Sequence, residues 1–253
     1  MTRANQLEKV NVLSVLFDNV TLTEMRDRVK LFFESETDKN LFIVTANPEI
    51  VDFATENAIY RKLINSANYV IPDGTGVVMA SKLLKKPLKE RVPGIELMEA
   101  CLKIANANYQ KVFLLGAKDE VVVKAVSQLS EKYPNINFDY HHGYFNLEDE
   151  TVLKHVSSFN PDYVFVGMGY PKQEQWIERH DNHFKQTLLM GVGGSIEVFS
   201  GTKKRAPKIF RKLNIEWVYR FIIDWKRFGR MKAIPKFVFK VIKQKPSNNK
   251  NRL

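Results

Sequence analysis

Lys111–Tyr133 reads KVFLLGAKDEVVVKAVSQLSEKY. Its first six residues are a nearly unbroken apolar run without alternating polar positions, the pattern of a strand covered on both faces. After Gly116 the period changes, and apolar residues return at spacings of three and four, as along one face of a helix. The same switch recurs along the chain. NVLSVLF (11–17), LFIVT (41–45), YVIP (69–72), INFDY (136–140), DYVFVGMG (162–169) and TLLMGVGG (187–194) read as strands. The stretches 49–67, 94–108 and 148–159 read as helices, the first with Ile50, Phe53, Ala54 and Ala58 on one face. Strand and helix alternating this often predict an α/β body, a Rossmann-like, mostly parallel sheet with helices on both faces.

The charge is unevenly spread. The 253 residues carry a net charge of +11, yet residues 1–201 hold 22 Lys and Arg against 26 Asp and Glu, whereas residues 202–253 hold 17 against 2. A boundary near Gly201 follows, with an α/β body over 1–201 and a basic appendage over 202–253. Cys101 is the only cysteine, which excludes an internal disulfide and a Cys-rich metal site. The first residues, MTRANQLEKVNV, lack the apolar run of a secretory signal, so a cytoplasmic protein is expected.

In a parallel sheet ligands bind beyond the carboxyl ends of the strands, so the strand-end loops carry the candidate chemistry. Thr45 ends one strand, followed by Asn47 as an N-cap, Pro48 for the first helical turn and Glu49 on the favourable side of the helix dipole. Thr45 is the residue of this group whose hydroxyl is expected to point into the crevice. At another strand tip Pro72 stiffens the exit, Gly74 and Gly76 are expected to let the backbone turn sharply, and Asp73 stands between them. An Asp-Gly pair alone marks a plain turn; a carboxylate at a strand tip is also placed to take a proton from a substrate hydroxyl, as a general base does. A third loop, GMGYPKQEQWIERH, has Gly167 and Gly169 before a helix; Lys172 occupies the third glycine position of a dinucleotide fingerprint, so a nucleotide-sugar pocket with Gln173 bonding base or sugar fits at least as well. Lys172 and Glu174 read as a solvated helix face. In the fourth loop Gly191, Gly193 and Gly194 bring backbone N–H groups toward an anion, or equally serve tight strand-to-helix packing.

Other chemistries lack their parts. There is no phosphate-loop lysine motif, no G-x-S-x-G elbow and no H-E-x-x-H, and no D-x-D ends a strand to hold a divalent ion. His141 and His142, being adjacent on a strand, are expected on opposite faces and unable to share a metal. A departing nucleotide diphosphate must then be neutralised by cationic side chains.

Those are plentiful after Gly201. Leu213, Trp217, Phe221, Trp225 and Phe228 fall on one helical face, opposite Lys212, Glu216, Arg220, Asp224 and Arg227. Beyond Pro235, Phe237, Val238, Val241 and Ile242 interleave with Lys236, Lys240 and Lys243. This pattern predicts a cationic, Trp-bearing amphipathic segment lying on an anionic membrane surface, not a membrane span. Its Phe, Ile and Val content and the lack of any nucleic-acid motif point away from nucleic acid.

TANPE (45–49), PDGTGVV (72–78), RVPG (91–94), GMGYPKQEQWI (167–177), GVGGS (191–195) and RAP…NIEWVYR…R (from 205) occur in the order found in the WecG/TagA/CpsF glycosyltransferases, and the chain resembles above all their staphylococcal TagA/TarA branch. That resemblance covers nearly the whole chain. It implies inverting transfer of N-acetylmannosamine from UDP-N-acetylmannosamine to N-acetylglucosaminyl-diphospho-undecaprenol, giving the linkage-unit disaccharide of wall teichoic acid, with no cofactor and no required metal. It implies Asp73 as catalytic base, Thr45 and Asn47 as active-site polar residues, and Arg91 and Gln173 in the substrate pocket. Arg220, Arg227 and Arg230 match an appendage that closes over the site at the inner face of the membrane and contacts the diphosphate. Glu197 stands where aspartate is expected in many relatives. The residues leave open a transferase of the same fold using another UDP-sugar, a non-catalytic membrane or nucleic-acid binding module, and a homo-oligomer.

Overall fold

In the computed structural model, which describes residues 7–207, 210 and 233–244, eight strands and ten α-helices are laid out in the described residues. The strands are β1 (Lys9–Val12), β2 (Val15–Asp18), β3 (Leu41–Ala46), β4 (Tyr69–Pro72), β5 (Lys111–Gly116), β6 (Asn137–His141), β7 (Tyr163–Gly167) and β8 (Leu188–Gly191). The helices are α1 (Leu22–Glu34), α2 (Pro48–Glu56), α3 (Ala58–Ser66), α4 (Thr75–Leu83), α5 (Gly94–Ala107), α6 (Asp119–Lys132), α7 (Glu150–Phe159), α8 (Lys172–His180), α9 (Ser195–Phe199) and α10 (Ala233–Lys243). Strands β3 to β8 form one six-stranded sheet in the order β4-β3-β8-β7-β5-β6, every pair parallel.

The apolar runs are buried on both sides, and alternate residues feed two cores. Phe42, Val44, Phe113, Leu115, Val164 and Val166 pack under α2, α3, α4, α7 and α8. Leu41, Ile43, Val112, Leu114, Tyr163 and Phe165 pack under α1, α5, α6 and α9. The expected α/β architecture is therefore the observed one.

Three local readings are corrected. NVLSVLF is two strands, not one: Leu13 and Ser14 take left-handed φ values of 52° and 68°, closing a tight antiparallel hairpin. Asp18 at its end is buried, accepts Lys9 Nζ at 2.7 Å and Val70 N–H at 2.8 Å, and so ties the hairpin to β4. The helix expected over 49–67 breaks at Asn57, which ends α2 and caps α3 through its own side chain, leaving Ala58 exposed. Finally, β6 stops at His141, so His142 leaves the pleat and the two imidazoles lie with centroids 4.3 Å apart instead of on opposite faces.

Helix α10 returns to the body. Phe237 and Val241, one turn apart, are buried in the core beneath α2 and α4. Lys240 Nζ reaches Asp52 Oδ1 at 2.5 Å and Thr55 Oγ1 at 2.6 Å, Lys236 pairs with Glu56, and Gln244 accepts the Leu13 N–H at 2.8 Å. Two of the three lysines expected to face a membrane thus face carboxylates of α2. Residues 211–232, with the aromatic stripe and Arg220, Arg227 and Arg230, lie outside the described residues.

Candidate active site

Strands β4, β3, β8 and β7 are consecutive neighbours, so the loops leaving their carboxyl ends sit side by side. This adjacency gathers Asp73, Thr45, Gly191 and Gln173 from four separate stretches of chain. It is the crevice in which an open parallel sheet takes its ligand.

Thr45 is buried at the end of β3 and donates its hydroxyl to the Gly191 carbonyl at 2.9 Å, which pins β3 to the tip of β8. Asp73 follows β4; its N–H donates to the Ala46 carbonyl at 3.0 Å, and its carboxylate lies 3.8 Å from the Arg91 guanidinium. The Arg91 loop is held to β4 by the Val92 N–H, which donates to the Pro72 carbonyl at 2.9 Å. Gly94, the first residue of α5, fits between these groups: a Cβ there would stand 3.0 Å from Thr45 Cγ2 and 3.2 Å from Asp73 Oδ2. Reading strand tips did not single out Gly94, although the RVPG motif contains it. Arg205, of the RAP motif, pairs with Glu96 in the first turn of α5 and brings the chain leaving the body past this end of the site.

The glycines of PDGTG serve packing and not a sharp turn. Gly74 is extended, with φ of 177°, and neither it nor Gly76 is left-handed. A Cβ at Gly74 would lie 2.9 Å from Pro48 Cδ, and one at Gly76 would lie 2.7 Å from Pro48 Cγ. The starts of α2 and α4 therefore touch, which brings Asn47 next to Asp73 in the fold. Asn47 itself accepts the Ile50 N–H at 3.0 Å as the N-cap of α2.

On the β7 and β8 side the polar groups are buried. Gln173 gives its Nε2 to Glu174 Oε1 at 2.6 Å and takes the Gly193 N–H on Oε1 at 3.1 Å. Glu174, expected on a solvated face, is 0% exposed and accepts the Tyr60 hydroxyl at 3.0 Å. Burial pushes the Glu174 carboxyl above its ordinary range, against the opposing pull of its bonds from Gln173 and Tyr60, and the same burial raises the Tyr60 hydroxyl. Lys172 is exposed, as expected.

The expected cradle of free backbone N–H groups after β8 differs from the observed loop. The Gly193 N–H goes to Gln173, that of Val192 to the Val166 carbonyl at 2.8 Å, and that of Ser195 to the Val192 carbonyl at 3.1 Å. Gly193 is left-handed, with φ of 49°, and Gly191 approaches Gln173 so closely that a Cβ would lie 2.7 Å from Nε2. Glu197 Oε1 accepts Lys203 Nζ at 2.6 Å, and a Cβ on Gly194 would meet its other oxygen at 2.8 Å.

A groove of about 810 Å³ between α1 and α5, lined by Arg26, Lys30, Glu99 and Lys103, includes Glu96, the partner of Arg205, but not Thr45, Asn47, Asp73, Arg91 or Gln173. Among the described residues there is no group of three or more His, Cys, Asp or Glu side chains placed to hold a metal ion, and no helix long and apolar enough to cross a membrane.

Comparison with known proteins identifies the family of the chain. The chain is 61% identical over 237 residues, 94% of its length and 93% of the relative's, to the N-acetylglucosaminyldiphosphoundecaprenol N-acetyl-beta-D-mannosaminyltransferase of Staphylococcus aureus strain NCTC 8325 / PS 47. It is 60% identical over the same shares to the protein of that name from strain MRSA252. The pattern of the Glycosyl transferase WecG/TagA/CpsF family matches residues 10–251, and this chain belongs to that family.

Proposed function

We propose that this chain is an inverting glycosyltransferase that moves N-acetylmannosamine from UDP-N-acetylmannosamine to N-acetylglucosaminyl-diphospho-undecaprenol, forming the wall teichoic acid linkage-unit disaccharide. The observation that carries the reading is the likeness along almost the full length to mannosaminyltransferases of that name, and it is supported by a carboxylate, Asp73, set at a strand tip beside Thr45 and Arg91.

In this mechanism Asp73 takes the proton of the acceptor's 4-hydroxyl as that oxygen attacks the anomeric carbon from the face opposite the nucleotide. The bond to UDP breaks, and the charge gathering on its diphosphate is met by arginines: Arg91 in the body and Arg220, Arg227 and Arg230 from the appendage. Thr45 holds the β8 tip in place behind the reacting groups, Asn47 lies beside Asp73, and the loop after β8, held from behind by the buried Gln173 amide, receives the nucleotide-sugar. Because cationic side chains carry the leaving group, turnover should survive excess EDTA.

A lipid-linked acceptor places the enzyme on the inner face of the membrane as a peripheral protein. Support comes from α10 and α4, whose Val238, Phe239, Ile242, Met79 and Leu83 are exposed large apolar side chains, with Lys243 over the Phe239 ring at 4.4 Å. Lys236 and Lys240 are occupied by Asp52 and Glu56 and are not counted among the membrane cations.

The test is UDP release from UDP-N-acetylmannosamine, measured with and without a soluble short-chain analogue of the lipid acceptor. Release that requires both substrates is expected. Equal release from other UDP-sugars, or none with any acceptor, would overturn the assignment.

A further inference from the structure

We infer that Glu174 is a positioning residue for the donor half of the site: its carboxylate sets the orientation of the Gln173 amide, and that amide holds the loop after β8. The inference rests on the reading that this loop receives the nucleotide-sugar.

Amide orientation follows from the bonding. The Gly193 N–H can only donate, so the Gln173 atom that meets it at 3.1 Å is the oxygen. The amide nitrogen is then turned toward Glu174, whose Oε1 accepts from it at 2.6 Å. A flipped amide would set two donors against each other at Gly193 and two acceptors against each other at Glu174. The remaining carboxylate oxygen is held by the Tyr60 hydroxyl at 3.0 Å, which fixes the carboxylate itself. A chain of bonds thus runs from α3 through the first turn of α8 to Gly193.

It continues toward the reacting groups. The amide lies against Gly191, where a Cβ would stand 2.7 Å from Gln173 Nε2 and 3.2 Å from Glu174 Oε1. The Gly191 carbonyl is the acceptor of Thr45, and Thr45 shares the Gly94 contact with Asp73. A carboxylate with no solvent exposure is costly, and an apolar residue of similar size at that position is often as stable or more so. Packing alone therefore gives no reason for glutamate here. Orientation of the neighbouring amide does.

The experiment measures UDP affinity by calorimetry, and the KM for donor and for acceptor separately, in Glu174→Leu, Glu174→Gln, Tyr60→Phe, Gln173→Ala and the Gln173→Ala/Glu174→Leu pair. Glu174→Leu should weaken UDP and raise the donor KM about tenfold, with the acceptor KM within about twofold of the parent. Glu174→Gln keeps an acceptor oxygen for the Gln173 amide and should stay within about threefold of the parent. The double variant should be no worse than Gln173→Ala alone, since one residue acts through the other. Should Glu174→Leu fail to fold, Tyr60→Phe reads the same chain and should raise the donor KM about threefold. Unchanged donor affinity in the folded Glu174 and Tyr60 variants overturns the inference, as does a Glu174→Gln variant as weak as Glu174→Leu, or additive losses in the pair. If Gln173→Ala weakens UDP in those cases, only the role of Glu174 falls; if Gln173→Ala is also silent, the placement of the donor at this loop falls with it.

Discussion

At the tips of β3 and β4 the charged pair is partly exposed: Asp73 and Arg91 side chains are 29% and 15% exposed and stand 3.8 Å apart. At the tips of β7 and β8, Gln173 and Glu174 are buried and bonded at 2.6 Å. On the proposed assignment Asp73 must meet a substrate that arrives and leaves, and its half of the crevice is the more exposed of the two. A loop that on the proposed assignment seats the sugar nucleotide gains from being ordered in advance, and the Gln173 and Glu174 side chains that hold it are buried and bonded to each other. Damage to the first half should therefore appear as lost rate with the fold intact, and damage to the second as lost donor affinity.

The strongest test of that division is Asp73→Asn, which keeps size and removes the proton acceptor. Turnover should fall on the order of 10²–10⁴-fold, with the melting temperature and UDP affinity near those of the parent. Near-parental turnover would remove Asp73 as the base.

Next in size is Phe237→Ala in α10. It should cost about 3–5 kcal/mol in urea unfolding, because a buried ring against α2 and α4 is replaced by a cavity. Those helices begin at Pro48 and Thr75, beside Asp73, so the folded variant should lose rate more than it loses donor affinity. Full stability would show that α10 does not depend on this contact.

Gly94→Ala is expected to act more gently. Its methyl must displace Thr45 or Asp73 by a few tenths of an ångström, so kcat should drop about tenfold while UDP affinity holds. Equal loss of both would blur the line between the halves.

The smallest effect is a slope with pH. Burial raises the folded-state pKa of Glu174, so between its ordinary value and that raised value the folded protein binds more protons than the unfolded chain. Stability contributed by this group is then present at low pH and declines as pH climbs through that window. Glu174→Gln should flatten the decline, making the variant gain on the parent as pH rises; parallel stability curves would show that the carboxyl titrates normally.

Much of this could be read from local stretches. The apolar run Lys111–Gly116 followed by a helical period is sufficient for a buried parallel strand and its crossover, and the strand-tip rule leads directly to Thr45 and Asp73. Another local signal is the reciprocal capping box of Thr21 and Glu24 at the start of α1, a spacing visible in the sequence. The hairpin turn left little trace, because Leu13 and Ser14 are not residues that favour left-handed backbone, and its register is imposed by packing of Val10, Val12, Val15 and Phe17 into the core.

Periodicity, caps and charge segregation are short-range properties, since each depends on neighbours within a turn or a strand, and for that reason the chain of residues is enough to establish the sheet, the strand tips and the basic C-terminal segment. The state of Glu174 depends on Tyr60, 114 residues away, and the alignment of α10 depends on Asp52, 188 residues before Lys240. Whether a carboxylate is solvated or dry, and whether a lysine faces a membrane or an acidic helix, follows from which distant surfaces the sheet order brings together. Those pairings arise only when six parallel strands close ranks, because burial is a property of the assembled core and not of any one segment.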